Sequence, residues 1–296
     1  MRLLVFGKNG QVGTELQRIL PANRNVTLAG RSDADFSRPD SVRAFLADRS
    51  PDVIINAAAY TNVDRAEDEP EQARAINVDA VCALAEFARS RGIWLIHYST
   101  DYVFDGVSSS PYVEMSKTNP LGVYGLTKRQ GEIAIEHSGC QHLIFRTTWL
   151  HAPHGVNFIR TILQLARVRD HLRIVADQIG SPTGADIVAN VTARALEHIL
   201  AREVRSGIYH LSCTGATTWY GYARYLLEVA SRCGEKLACS PEAVVPITSA
   251  DYGSRARRPL NSRLDSTKLI QQFGVSLPDW RAGVERTVHA LIEKMK

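Results

Sequence analysis

Tyr124 and Lys128 stand four residues apart in the segment Tyr124-Gly125-Leu126-Thr127-Lys128. On a helix, residues i and i+4 share a face, so the phenol and the ammonium point at the same place. A free phenol has a pKa of about 10 and is a poor acid–base catalyst at neutral pH. A neighbouring cation favours the phenolate and pulls that pKa down, towards the range where general acid catalysis is efficient. Tyr124 is therefore expected to donate a proton, with Lys128 depressing its pKa. The pair alone is weak support, because both residue types are common on helix surfaces. Two further segments decide what such a pair would work on.

The first is Gly7-Lys8-Asn9-Gly10-Gln11-Val12-Gly13. It follows the apolar run 2–6, which reads as a buried parallel strand. After it Val12, Leu16, Ile19 and Leu20 recur at helical spacing. A Gly-rich turn between strand and helix aims unpaired N–H groups and the positive end of the helix dipole at an anion. Glycine also lets a pyrophosphate approach the backbone and the helix pack close to the strand. The spacing is G-x-x-G-x-x-G rather than G-x-G-x-x-G, and a tight structural turn is the competing reading. The strand before it and the helix after it favour a dinucleotide, held by Gly7, Gly10, Gln11, Val12 and Gly13.

The second is Ile93-Trp94-Leu95-Ile96-His97-Tyr98-Ser99-Thr100-Asp101, an apolar strand that ends in hydroxyls and a carboxylate. In open α/β sheets, ligands bind beyond the carboxyl ends of strands. Taken alone, Ser99-Thr100-Asp101 reads as a helix cap.

Strands and helices alternate from residue 1 to about residue 148. Strands are expected at 26–29, 53–56, 93–98 and 143–145, with helices near 41–47, 70–91 and 124–128. This order implies an α/β protein with a doubly wound parallel sheet, a Rossmann fold. Residues 1–150 form the dinucleotide-binding domain, with a return segment near 174–200 in which Ile174-Val175 rejoins the sheet. Residues 151–173 and 201–296 form a smaller C-terminal α/β substrate domain.

Together these segments resemble the extended short-chain dehydrogenase/reductase family, and within it the branch acting on dTDP-4-dehydrorhamnose. Asn56-Ala57-Ala58-Ala59-Tyr60-Thr61, Arg146-Thr147-Thr148-Trp149, Asp177-Gln178-Ile179-Gly180-Ser181-Pro182-Thr183 and Arg258-Pro259-Leu260-Asn261-Ser262-Arg263-Leu264-Asp265 extend the likeness over nearly the whole chain in order. The resemblance implies reduction of the 4-keto group of dTDP-4-dehydro-β-L-rhamnose by NAD(P)H, a step towards cell-surface polysaccharide. Thr100, Tyr124 and Lys128 would be catalytic, with Lys128 also on the nicotinamide ribose. Asp35 and Phe36 would meet the adenine side, and Ala58, Ala59 and Tyr60 would line the cofactor cleft. Asp101 would contact sugar hydroxyls and Trp149 would flank the sugar. Arg258 would meet a phosphate or form a rim salt bridge. Related dehydratases carry Asp-Glu after the strand-end Thr. Here Thr100-Asp101-Tyr102 lacks the second carboxylate, which argues against dehydration. Two alternatives stay open: a reductase of another dTDP-4-keto-6-deoxysugar, and a non-catalytic regulatory subunit of the methionine adenosyltransferase type. An intact Thr100, Tyr124 and Lys128 speaks for catalysis.

Cofactor choice turns on the segment after the second strand. An NAD site ends that strand with a carboxylate on the ribose 2′-OH. Here 26–29 runs into Gly30-Arg31-Ser32. Arg31 suits a 2′-phosphate, and Lys8 adds positive charge on the same side. NADPH is expected, with NADH open.

The chain has 296 residues, 45% of them hydrophobic, and a net charge of +4, too modest to argue for nucleic acid. Arg255, Arg257, Arg258 and Arg263 form a short basic segment without interleaved aromatics. Five cysteines without a C-x-x-C pair read as reduced thiols in a cytoplasmic protein. The apolar run 3–6 is too short for a signal peptide, and no run approaches a membrane span. His151 and His154 lie in a Pro-Gly loop without a third ligand at zinc spacing and are read as structural. Some family members bind Mg2+ at a subunit contact through carboxylates, which also admits a homodimer. Glu15 and Asp186 match in type, but the region around Ala290 offers no third ligand, so no metal is expected.

Overall fold

The computed structural model describes residues 1–20 and 25–293. Its centre is a six-stranded, all-parallel sheet. The strands β1 (Arg2–Phe6), β2 (Asn25–Ala29), β3 (Val53–Asn56), β4 (Trp94–Thr100) and β5 (Gln141–Thr147) come from the alternating first half of the chain. Their spatial order is β2-β1-β3-β4-β5, followed by Gly207–His210 at the far edge. The order reverses direction between β1 and β3, which is where a doubly wound sheet opens a crevice for a ligand.

Both faces of the sheet are covered, which is why its strands read as unbroken apolar runs. Leu3, Val5, Val53, Ile55, Ile96 and Tyr98 pack on one side beneath α1 (Gln11–Ile19) and the helix Ala185–Ala201. Leu4, Phe6, Ile54, Leu95 and Ile144 face the other side, against α2 (Pro39–Ala47) and the helix Ala80–Arg91. A separate core joins Ile159, Ile162, Leu163, Tyr222, Leu226, Trp280 and Val284.

Two expectations change. Leu172–Val175 does not rejoin the central sheet; it pairs in parallel with Val244–Ile247. The strand that returns is Gly207–His210, in register with Leu143 to Arg146 of β5. The helix expected across 70–91 is interrupted by a π-helical turn at Ala75–Asp79. Such a turn adds a residue to the helix and re-aims its side chains. Here it points Asn77 inwards. The Asn77 amide oxygen accepts from Tyr60 N at 2.9 Å, and its nitrogen donates to Thr127 Oγ1 at 3.1 Å. The loop after β3 is thereby tied to the helix that carries Tyr124 and Lys128.

Candidate active site

The Gly-rich turn joins β1 to α1. Gly7 adopts φ +84°, and a Cβ there would lie 2.5 Å from the carbonyl carbon of Ala57. A Cβ on Gly13 would strike the Gly7 carbonyl oxygen. Only glycine allows this close approach of turn, helix and β3. The helix starts at Gly10 with no side-chain cap and no acidic residue in its first turn. Its first N–H groups and its dipole are thus left for an anion, and the cradle fits a pyrophosphate.

Beside the turn lies a cavity of about 290 Å³, lined by Gly10, Arg31, Asp35, Phe36, Ala58 and Ala59 among others. The π-helical turn adds Ile76 to this lining. Gln11 and Tyr60 face elsewhere. The Gln11 side-chain oxygen accepts from Asn157 at 3.0 Å, and the Tyr60 hydroxyl donates to Glu69 at 2.7 Å. Val12 is buried in the core. Arg31 is three-quarters exposed, with Asp35 3.5 Å away. Lys8 adds no uncompensated charge: its ammonium donates to Asp33 at 2.8 Å, which holds the Asp33 carboxyl below the usual carboxylate range.

Thr100 closes β4. Its hydroxyl donates to Asp101 Oδ1 at 3.1 Å and accepts from Tyr102 N at 3.2 Å. Burial pushes Asp101 up to about 6, opposed by the hydroxyls of Ser262, Thr100 and Thr148. Tyr124 stands one residue inside the helix Val123–Ser138, its ring edge-on to Tyr102 at 5.5 Å. Lys128 is buried one turn further along.

The spacing brings Tyr124 and Lys128 to one face, but the groups that shift Tyr124 in the free protein are others. Crowding by the surrounding protein pushes the phenol up to about 12, and the opposing influence is a hydrogen bond with Thr100. The Lys128 amine turns instead to the Tyr98 carbonyl at 2.6 Å and to His97 Nε2 at 3.1 Å. Burial pulls Lys128 down to about 8, against the charge of Glu132. Unfolded, this lysine would keep its proton to about 10.5. Between these values the unfolded chain binds more protons, so stability rises with pH. The native protein is therefore expected to gain stability over Lys128→Met as pH is raised from about 8 to about 10.5. Urea midpoints across that range check this, and a constant difference contradicts it.

Arg258 forms a two-pronged salt bridge with Asp64, at 2.6 and 3.1 Å. It also lines a groove of about 960 Å³ with Gln178, Trp219, Tyr252, Arg173 and Phe158. Trp149 is buried at φ +44°, its ring stacked on Trp219 at 3.6 Å. Trp219 is the member of that pair that lines the groove.

The carboxylates considered for magnesium are already neutralised. Glu15 accepts from Arg18 at 2.8 Å and Asp186 from Arg286 at 2.9 Å. Ala290 lines the same pocket. Magnesium prefers six oxygen ligands in near-ideal geometry, and this donor set does not fit it. His151 and His154 hydrogen-bond to Thr287 and to the Gln11 carbonyl. Among the described residues no group of three or more His, Cys, Asp or Glu is placed to hold a metal ion.

A family model, the RmlD substrate binding domain, matches residues 1–293. This chain belongs to that family. The dTDP-4-dehydrorhamnose reductase of Escherichia coli K12 is 46% identical over 295 residues, covering 98% of each chain. That of Burkholderia thailandensis is 42% identical over 298 residues, covering 99% of this chain and 100% of its own. The crystal structure of the Bacillus anthracis enzyme of the same name, in complex with NADP, superposes with a TM-score of 0.88 at 31% identity. It covers 97% of this chain and 98% of that one. RmlD-family membership bears out the resemblance to the extended short-chain dehydrogenase/reductases and the Rossmann fold expected from the strand–helix alternation.

Residues of the site that the sequence reading did not single out include His97, Asn77, Glu132 and Trp219. His97 carried a signal: a polar residue in the middle of an apolar strand run. Asn77 and Trp219 carried none that spacing could reveal.

Proposed function

We propose that this protein reduces the 4-keto group of dTDP-4-dehydro-β-L-rhamnose with NAD(P)H, giving dTDP-L-rhamnose. The observation that carries the reading is the meeting of Thr100, Tyr124 and Lys128 at the carboxyl end of β4, beside a glycine cradle. The full-length likeness to reductases of that name supports the substrate.

Bound nicotinamide supplies the hydride. Tyr124 delivers the proton to the developing alkoxide at O4. Thr100, beside that phenol, shares the same oxygen and orients it. Lys128 holds the nicotinamide ribose. Asp101, pushed up by burial, is poised between donor and acceptor towards the sugar hydroxyls. The rings of Trp219 and Tyr252 suit the base of a nucleotide sugar in the groove, and Arg258, whose fork is held by Asp64, adds a guanidinium at its rim for the phosphates. Trp149 supports Trp219 from behind. Reduction needs one hydride and one proton, and the missing second carboxylate after Thr100 fits that economy. The free thiols of all five cysteines support a reducing compartment. No helix among the described residues is long and apolar enough to cross a membrane.

The reading is tested by following nicotinamide absorbance with dTDP-4-dehydrorhamnose. Turnover that depends on the ketone is expected, and its absence at high protein concentration overturns the reading. NADPH is the proposed preferred cofactor, through Arg31. A charge-assisted contact of this kind is worth about 1.5–3 kcal/mol. Arg31→Ala should therefore lower kcat/KM for NADPH roughly tenfold or more while leaving NADH nearly unchanged. Equal native values for the two cofactors, or an unmoved ratio in the variant, contradict the role of Arg31.

A further inference from the structure

Three buried groups behind the site form one hydrogen-bonded row with a fixed polarity. The Ala58 backbone N–H donates to Asn56 Oδ1 at 3.1 Å. A backbone N–H can only donate, so the amide oxygen of Asn56 must face it. The Asn56 nitrogen then faces His97 Nδ1, at 3.1 Å. An amide NH₂ also only donates, which leaves His97 Nδ1 bare. A neutral imidazole carries a single proton, and here it must sit on Nε2. Burial holds His97 neutral, with its pKa well below the usual range. The Nε2–H therefore points at Lys128 Nζ, 3.1 Å away. An ammonium has no lone pair to receive it, whereas an uncharged amine has one and can still donate to the Tyr98 carbonyl.

We propose that His97 is a positioning residue for Lys128: locked by Asn56 in the Nε2–H form, it donates to an uncharged Lys128 amine in the free protein, and Lys128 takes up a proton from water when the dinucleotide binds. Bound ribose hydroxyl oxygens give the new N–H bonds acceptors, and the amine turns from His97 towards them. The other groups facing this row are few. Glu132, one turn along the helix, favours the charged lysine, but its carboxylate is engaged by Arg146 and Arg129. Tyr98 contributes its carbonyl, its own hydroxyl being paired with Thr192. Burial pulls Lys128 in the same direction as the His97 proton does. Only the proton-uptake step rests on the dinucleotide reading.

Two measurements on the full chain test this. Titration calorimetry of NADPH at pH 9, where Lys128 with a pKa of about 8 is mostly uncharged before binding, counts protons in two buffers of different ionisation enthalpy. The native protein should take up about one proton per NADPH bound. Asn56→Asp should take up much less. Its second carboxylate oxygen accepts from His97 Nδ1–H, moves the lone pair to Nε2 and lets Lys128 charge beforehand. No uptake by the native protein, or equal uptake by both, overturns the proposal. If NADPH fails to bind, the cofactor reading fails and the calorimetry is silent on His97. The second measurement then decides. Long-range ¹⁵N correlation of the histidine rings should show an Nε2–H tautomer for the ring that disappears in His97→Gln. An Nδ1–H tautomer for that ring overturns the proposal regardless of binding.

Discussion

Tyr124→Phe is expected to lower kcat by roughly 10²-fold or more, the scale of general acid catalysis. The substitution removes one oxygen at the end of β4 and leaves the ring that meets Tyr102 edge-on. Fold and cofactor cradle should persist, so NADPH affinity should change little. A folded variant with near-native turnover would remove Tyr124 from the chemistry. The pKa of Tyr124 sharpens this expectation. Pushed up to about 12, the phenol keeps its proton throughout the neutral range. The proton is therefore in place for the reducing direction.

Glu132→Ala is expected to cost about 3–5 kcal/mol of stability, the scale for breaking a buried ion pair. Arg146 is fully buried and is held in a fork by Glu132, at 2.8 and 2.7 Å. The pair joins β5 to the helix that carries Tyr124 and Lys128. Removing the carboxylate leaves a guanidinium with a long bond to the Glu114 carbonyl at 3.4 Å, the His210 ring at 3.5 Å and the face of Phe104 at 5.1 Å. A double variant, Glu132→Leu with Arg146→Met, should recover most of the loss, because replacing both charges by apolar groups removes the desolvation cost as well. Urea unfolding of the three proteins checks this. A native-like midpoint for the single variant would show that Arg146 finds other partners.

Much of the dinucleotide half was legible because its strands are buried on both faces. Runs such as Val53-Ile54-Ile55 and Leu143-Ile144-Phe145 have no polar alternation to mislead, and glycine marks the tight turn between β1 and α1. What failed was assignment of short apolar runs to a particular sheet. Ile174-Val175 and Ile208-Tyr209 look alike in sequence, yet the first pairs with Val244–Ile247 and the second with β5, on either side of the helix Ala185–Ala201 that packs against α1. The site shows the same limit. The spacing of Tyr124 and Lys128 fixed their common face. It could not fix where the lysine amine ends, because that depends on the strand beside it. β4 sets His97 in register with Asn56 of β3, and this puts an imidazole and a carbonyl within reach of Lys128. Likewise the residue 149 tryptophan was visible at a strand end, but its stacking partner lies 70 residues later in the chain. Long-range pairings of this kind leave no periodic trace.

The proposed reaction delivers a hydride to C4 of a dTDP-linked 4-keto sugar. It is tested most directly by the fate of the label when NADPH deuterated at the transferable C4 position is turned over with dTDP-4-dehydrorhamnose. Proton NMR of the product should show dTDP-L-rhamnose with deuterium at sugar C4 and hydrogen retained elsewhere. A product without label at C4, or label at any other carbon, would contradict hydride delivery to that carbon.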